Sequence, residues 1–540
     1  LWGSGKKYPA PRKKRERHQD HSNPGQRPRK GRPSNLYLFG KSKQIVTRPE
    51  WVVISILKEP RHLLTRADFV WGLAGAALFG IFVGISAISS HFAYDRSNID
   101  KPILSFLALL TASGALYLWM VWWYQPFPRE KWRSCFLFLV GLLARISLFS
   151  STPILEDDFY RYLWEGGMVV HGQNPYQYSV REVLNPQHRA VPESLIALAE
   201  EAQPVPQRVN YPWLRTIYPP ISQAVFSLAH LLSPWNLGGW KIVLFAADLL
   251  NLYLLFLLLR RLNLNPSAWV IYWWNPLLIK ETYNSGHLEV ILIPFILGVL
   301  LLSLRARYLA ACAALALAAG IKLWPIILLP AVLRPFLGRP REWVGPLLAF
   351  SGLTLLLVLP FLIFGLDSRS GLWAYLTGWE MNDSLFLLLS GFSRILIFLL
   401  GAEAGSAPLV ARILALFLFG LWSFWLLRTP VQGAEDILSL FLHLTAGLFL
   451  LSPAQFPWYF CWMLPFLSLT PRVSLLLFTV LLPLYYLRFY LAVRGAGDFF
   501  DSYLVWLQFI PVWVLLIKEL RKKAKSLRGG GGCAEGPTSR

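Results

Sequence analysis

Glu156-Asp157-Asp158 is the densest group of carboxylates beside any apolar stretch of a chain that is otherwise basic and apolar. Ionising one of two adjacent carboxyls disfavours ionising the other, so one of them is poised to accept a proton near neutral pH. That property suits a reaction in which a hydroxyl attacks carbon and must shed its proton. Three further polar groups stand where apolar stretches end. They are the turn Lys280-Glu281-Thr282-Tyr283-Asn284-Ser285-Gly286-His287-Leu288-Glu289, Lys322 ahead of Trp324-Pro325, and Glu380 with Asn382-Asp383. An ammonium such as Lys322 is a point-charge partner for a phosphate, or it snorkels to headgroups. His287 offers a second polar ligand, or a helix cap. Any one of these groups could simply cap a helix; their placement on one side of the chain's topology favours a shared site.

The elements that must hold them are membrane helices. Of 540 residues, 55% are hydrophobic and mean hydropathy is +0.44, against roughly 45–50% apolar in soluble domains. Apolar runs of roughly 17–25 residues recur, the length that crosses a hydrocarbon core, and inside a bilayer only helices and closed barrels satisfy their own backbone. The fold class expected is therefore an all-α polytopic membrane protein. Trp and Tyr gather at run ends (Trp119, Trp122, Trp123, Tyr124; Trp269, Trp273, Trp274), as interfacial belts require. The net charge of +22 sits in tails and short loops, which fits cytoplasmic segments rather than a nucleic-acid surface. Cys135, Cys312, Cys461 and Cys533 have no CxxC or Cys/His spacing, so neither a zinc site nor a disulfide framework is implied.

Residues 1–66 read as a basic, disordered cytoplasmic tail without the apolar core of a signal peptide, with 51–64 as a short amphipathic piece at the inner interface. The chain begins at Leu1 rather than Met, which leaves its true start open. Two accessory spans follow within 67–133, and a third at 134–150 carries the acidic cluster to the outer face. Residues 151–239 form a long extracytoplasmic loop with interfacial helices. Its apolar stretch 221–233 reads as re-entrant, being short for a crossing and keeping Arg260 and Arg261 inside. Later spans are expected at 240–259, 267–280, 288–304, 308–321, 324–333, 344–364, 408–427, 436–452, 458–469, 473–489 and 503–517, with 384–400 again re-entrant. The total is about 14 spans with both termini cytoplasmic, the last span lying in 491–517 and a basic tail in 518–540. Arg145, Asp248, Arg412 and His443 lie inside spans, where ionisable groups pair or line cavities; their partners cannot be read from the sequence.

The phrase Asp158-x-x-x-Tyr162-x-Trp164-Glu165-Gly166, followed by Gly172-Gln173-Asn174-Pro175-Tyr176, resembles the first outer loop of GT-C glycosyltransferases. The nearest likeness is to the polyprenol-phosphate-mannose-dependent α-1,6-mannosyltransferases. Tyr218-Pro219-Pro220, Trp274-Asn275-Pro276-Leu277, Gly286-His287-Leu288-Glu289, Lys322 before Trp324-Pro325, and Ser452-Pro453 before Pro457-Trp458-Tyr459 follow in order. The likeness spans about 134–490, the expected catalytic module, and leaves the first two spans outside.

It implies a lipid-linked donor, a catalytic Asp in the first outer loop, and inverting transfer on the extracytoplasmic side of a plasma or inner membrane. By position Asp158 matches the family's acid, because Tyr162 follows it by four, with Asp157 the rival. Lys322, His287, Glu289 and Glu281 would meet the donor phosphate region; Arg161, Tyr162, Asn174, Tyr176 and Tyr218 would shape the pocket. Glu165 and Glu289 stand where the family commonly has Asp. The expected partners are a polyprenyl-phosphate sugar (mannose or another hexose or pentose), a glycan or lipid acceptor of the cell envelope, and membrane lipids. No nucleotide-sugar domain is visible, no cofactor is required, and a divalent metal beside the paired acids is possible without being indicated. The rival readings are a transporter or flippase of lipid-linked sugars, which should carry inverted repeats and midplane broken helices, and an inactive scaffold.

Overall fold

The computed structural model describes residues 65–123, 131–186, 190–364, 366–431 and 433–529. The tail expected over 1–66 and its amphipathic piece at 51–64 lie outside these residues except for Thr65 and Arg66, as does the end of the C-terminal tail. The described chain is helical, with a single isolated bridge between Met381 and Ala454.

The first three helices are α1 (Arg66–Ser89), α2 (Ile103–Trp123) and α3 (Lys131–Phe149). Thr65 and Asp68 start α1 with a capping box, each side chain accepting the other's backbone N–H. The same Asp68 pairs with Arg133 and so ties α1 to α3. The segment after α3 then contributes α4 (Asp158–Val170), α5 (Val180–Leu184), α6 (Glu193–Glu201) and α7 (Pro220–Leu232), before the long α8 (Leu237–Arg261). Helices α4 and α7 cross in close contact at Gly166, where an added Cβ would stand 2.4 Å from the Phe226 carbonyl oxygen. After α8 the chain breaks into α9 (Val270–Trp273), α10 (Pro276–Ile279), a π-turn at Lys280–Asn284, α11 (Glu289–Ser303) and α12 (Tyr308–Ala319).

Among the described residues nine helices are long and apolar enough to cross a membrane. They correspond to nine of the fourteen spans expected. The remaining five, at 267–280, 288–304, 308–321, 324–333 and 458–469, are short or broken pieces. Proline explains the breaks: Pro276, Pro325 and Pro457 each open a short helix or 3-10 turn. For the pieces at 267–280 and 458–469, location explains the apolarity. Residues 268–293 and 454–469 are buried at every position, so they form an inner layer, and a core helix is as apolar around its circumference as a lipid-facing one. Irregular backbone is tolerated at this depth because protein surrounds it. The segments read as re-entrant are the helices Pro220–Leu232 and Leu385–Leu399, each shorter than a crossing.

At the centre, Arg145 of α3 pairs with Asp248 of α8 at 2.7 Å, both essentially inaccessible. Tyr272 and Tyr283 donate to the two oxygens of Asp248 at 2.6 and 2.7 Å. The Arg145 guanidinium also donates to the carbonyls of Gly141 and Trp273 and lies 3.4 Å from the centre of the Trp273 indole. The other intramembrane groups are partnered too: Arg412 with Glu380, and His443 Nδ1 with the Ser439 carbonyl.

Breaking a buried pair on one side strands a charge at a cost of about 3–5 kcal/mol, whereas removing both charges costs much less. Arg145→Met or Asp248→Leu alone is therefore expected to lower the unfolding temperature in detergent sharply, and the double substitution to recover much of the loss. Equal losses in all three proteins would refute the pairing.

Candidate active site

The acidic cluster reaches its position through a short loop anchored by the π-turn. Asn284 donates to Ser151 Oγ and to the Thr152 carbonyl, each at 2.8 Å, and accepts from the Ile154 N–H at 3.0 Å. Lys241 of α8 caps the end of α3 through the Phe149 carbonyl at 2.8 Å. Leu155 has a φ of 59°, an uncommon and costly conformation for a branched side chain. The chain turns there, immediately before Glu156.

Beyond the turn, Glu156, Asp157 and Asp158 line a cavity of about 1000 Å³ together with Lys322, Arg161, Tyr218 and the rings of Trp324, Trp458, Tyr459 and Trp462. The side-chain amide of Asn210 bridges the two aspartates, donating to Asp157 Oδ1 at 2.9 Å and Asp158 Oδ1 at 2.6 Å. Arg161 fixes Asn210 in turn, donating to its carbonyl at 2.7 Å and to that of Tyr211 at 3.1 Å. Burial, reinforced by the charges of Asp158 and Glu156, pushes the Asp157 carboxyl up to about 7. Burial likewise raises Glu156, against the lowering effect of His287.

Glu165 is the contrasting acid. It is buried, but it accepts from Thr216 and Gln223, both at 2.7 Å, and from Arg161 at 3.4 Å. These bonds tie the segment before α7 to α4 and occupy the carboxylate. Asp383 is also raised to about 7, by burial and then Glu380, yet neither it nor Glu380 nor Asn382 joins the cavity lining, although Trp379 and Met381 beside them do. A raised pKa alone does not single out a reactive group; Asp157 combines it with cavity exposure.

Of the residues expected around the donor phosphate, Lys322 lines the cavity and pairs with the buried Glu289, whose Oε2 has no hydrogen-bond partner. The Lys322 ammonium lies 4.7 Å from the centre of the Tyr459 ring. Glu281 and His287 stand behind the cavity wall. Glu281 accepts from Tyr486 at 2.7 Å and from Ser285 at 3.1 Å. The His287 ring stacks on Trp458 with centroids 4.0 Å apart. Burial disfavours its protonation, but the carboxylates of Glu156, Glu281 and Asp158 outweigh that and raise it. Of the residues expected to shape the pocket, Arg161 and Tyr218 reach the lining. Tyr162 is buried behind it, stacked on Phe226, and Tyr176 donates to the Tyr218 carbonyl at 2.9 Å. Asn174 makes a local turn, accepting from the Tyr176 N–H.

Asn210 and Tyr486 escaped the sequence reading. Asn210 sits in a Pro-rich loop with no spacing to betray it. Lys280, which opens the turn named from the sequence, is wholly buried and pairs with Glu281 and Tyr486. Tyr486, which also donates to Glu156 at 3.1 Å, resembles any interfacial tyrosine.

Residues 70–336 match the family described as alpha-(1->6)-mannopyranosyltransferase, N-terminal domain. No curated protein and no solved structure matches the chain. The matched segment includes the acidic cluster, the 280–289 turn and Lys322. It also takes in α1 and α2, which the sequence likeness left outside, and it stops before the Ser452–Tyr459 phrase.

Replacing Lys322 strands Glu289 in a dry site. Lys322→Met should therefore lower the unfolding temperature, and adding Glu289→Gln should restore most of it. A Lys322→Met protein as stable as the parent would mean that the ammonium is not the partner of Glu289.

Proposed function

We propose, on the premise that residues 70–336 of this chain belong to the alpha-(1->6)-mannopyranosyltransferase family, that it transfers a sugar, in the first instance mannose, from a polyprenyl-phosphate donor to a glycan or lipid hydroxyl. The family domain and the nine candidate spans together make it a multi-pass membrane glycosyltransferase. The donor, the acceptor, the inverting course and the extracytoplasmic side of the site are our reading. The observation that carries it is the Asn210-bridged pair Asp157/Asp158 facing a cavity that also presents Lys322 and a wall of aromatic rings.

The acceptor oxygen attacks the anomeric carbon while its proton passes to a carboxylate of the pair, and the carbon–phosphate oxygen bond breaks on the opposite side. Lys322 counters the charge left on the departing lipid phosphate. Aromatic faces suit the apolar face of a sugar ring or a prenyl chain. The spacing to Tyr162 nominates Asp158 as the base. The raised affinity of Asp157 gives it the proton-accepting range a base needs near neutral pH. The structural reading therefore prefers Asp157, with Asp158 beside it at the head of α4. The flippase reading is not favoured, since the matched family is a transferase.

The test assays transfer from labelled polyprenyl-phosphate mannose by Asp157→Asn and Asp158→Asn separately. Loss of the base is expected to cost at least about a hundredfold in rate, and full activity in both variants would overturn the assignment. A base works only when ionised, so with Asp157 raised to about 7 the parent rate should climb as pH rises through about 7 and level off above it. A rate that is flat across that range would remove Asp157 from the role.

A further inference from the structure

Behind the cavity wall, Glu156, Glu281 and His287 bring one donor atom each to within 4.8 Å of one another. We propose that these three residues form a binding site for a divalent ion of the zinc class, distinct in its evidence from the sugar-transfer reading above.

The imidazole carries the argument. His287 is 1% exposed, yet neither ring nitrogen has a hydrogen-bond partner. Its nearest partners are the carboxylates of Glu156, Glu281 and Asp158, at 3.5–3.9 Å, and a buried ring nitrogen that lacks a hydrogen bond is costly. Its Nε2 points between two carboxylate oxygens, 3.6 Å from Glu156 Oε2 and 3.5 Å from Glu281 Oε2. These separations are too long for good hydrogen bonds. They are the separations a shared ion imposes: donor atoms bound tetrahedrally at about 2.0–2.2 Å stand about 3.3–3.6 Å apart. Two carboxylates and one imidazole are also a donor set that zinc accepts.

The surroundings fit. Nδ1 of the same ring lies 3.9 Å from Asp158 Oδ2, too far for a hydrogen bond but on the side where a metal-bound histidine commonly meets an orienting carboxylate. Stacking on Trp458 fixes the ring plane. The Tyr486 hydroxyl lies 2.7 Å from Glu281 and 3.1 Å from Glu156 and shares its one proton between them, which orients those carboxylates as well. Lys280 offsets part of the negative charge, but its contacts to Glu281 are loose, at 3.3 and 3.4 Å. Binding would release the proton of the imidazole, leaving one ammonium against two ligand carboxylates and a net negative charge for the cation. The ion would sit next to the acidic pair and would hold Glu156 in its cavity-facing position.

The experiment measures metal rather than activity. Full-length protein purified in detergent is stripped with chelator, exposed to excess Zn²⁺ or Co²⁺, desalted, and assayed by elemental analysis, with the visible spectrum of the Co²⁺ form reporting coordination geometry. The expected result is about one ion per chain and a tetrahedral cobalt spectrum, falling to below about one-tenth of an ion in both His287→Ala and Glu281→Gln. Asp157→Asn, which alters no ligand, should keep the ion. A stripped parent that takes up no ion overturns the proposal, as does uptake unchanged in His287→Ala. Loss of uptake in Asp157→Asn would also overturn it by placing the ion elsewhere. None of these outcomes bears on whether the carboxylate pair transfers sugar.

Discussion

The arrangement depends on the buried pair between Arg145 and Asp248. In a bilayer no water is at hand to solvate a stranded charge, so each partner holds the other in place. The pair joins α3 to α8, and the two tyrosines on Asp248 bring in the broken segment that follows α8. Both the acidic cluster, which follows α3, and the 280–289 turn, which follows α10, are positioned from this one node. The site is thus suspended between a salt bridge at depth and the Asn284 contacts closer to the cavity.

Around the cavity, acids that hold structure differ from acids left open to the cavity in how many of their lone pairs are occupied. Glu165 is bonded by three neighbours and is spent on structure. Asp157 and Asp158 share one amide and keep the rest of their capacity for the cavity. Burial and the charges of Asp158 and Glu156 burden the ionisation of Asp157. Asn210 moderates this by favouring the charged form, and Arg161 holds Asn210 through its carbonyl.

The transmembrane count marks one boundary of what a linear reading carries. Hydropathy responds to removal from water and does not register whether lipid or protein does the removing. The segment Val270–Ile279 and the segment Pro457–Leu469 are apolar because they are core. A search for spans consequently counts them, although Pro276 and Pro457 already announced a break. Charge at helix ends was more dependable for naming which polar groups stand near one another, since Glu156, Asp157, Asp158 and Lys322 do share a cavity lining. It over-reached at Glu380 and Asn382, whose polar atoms are taken by Arg412 and by Gln455 and Gln508.

By itself the sequence determined the membrane-embedded helical class, because composition and run length are local properties. It also determined the family likeness, because the ordered phrases from Asp158 to Lys322 survive without geometry. Only the tertiary structure decided which acids are free, since a carboxylate's role depends on donors such as Thr216, Asn210 and Tyr486 that are distant along the chain. It alone brought Glu156, Glu281 and His287 to one point. That meeting is set by α3, α8 and the π-turn packing together, and no spacing along the chain encodes it.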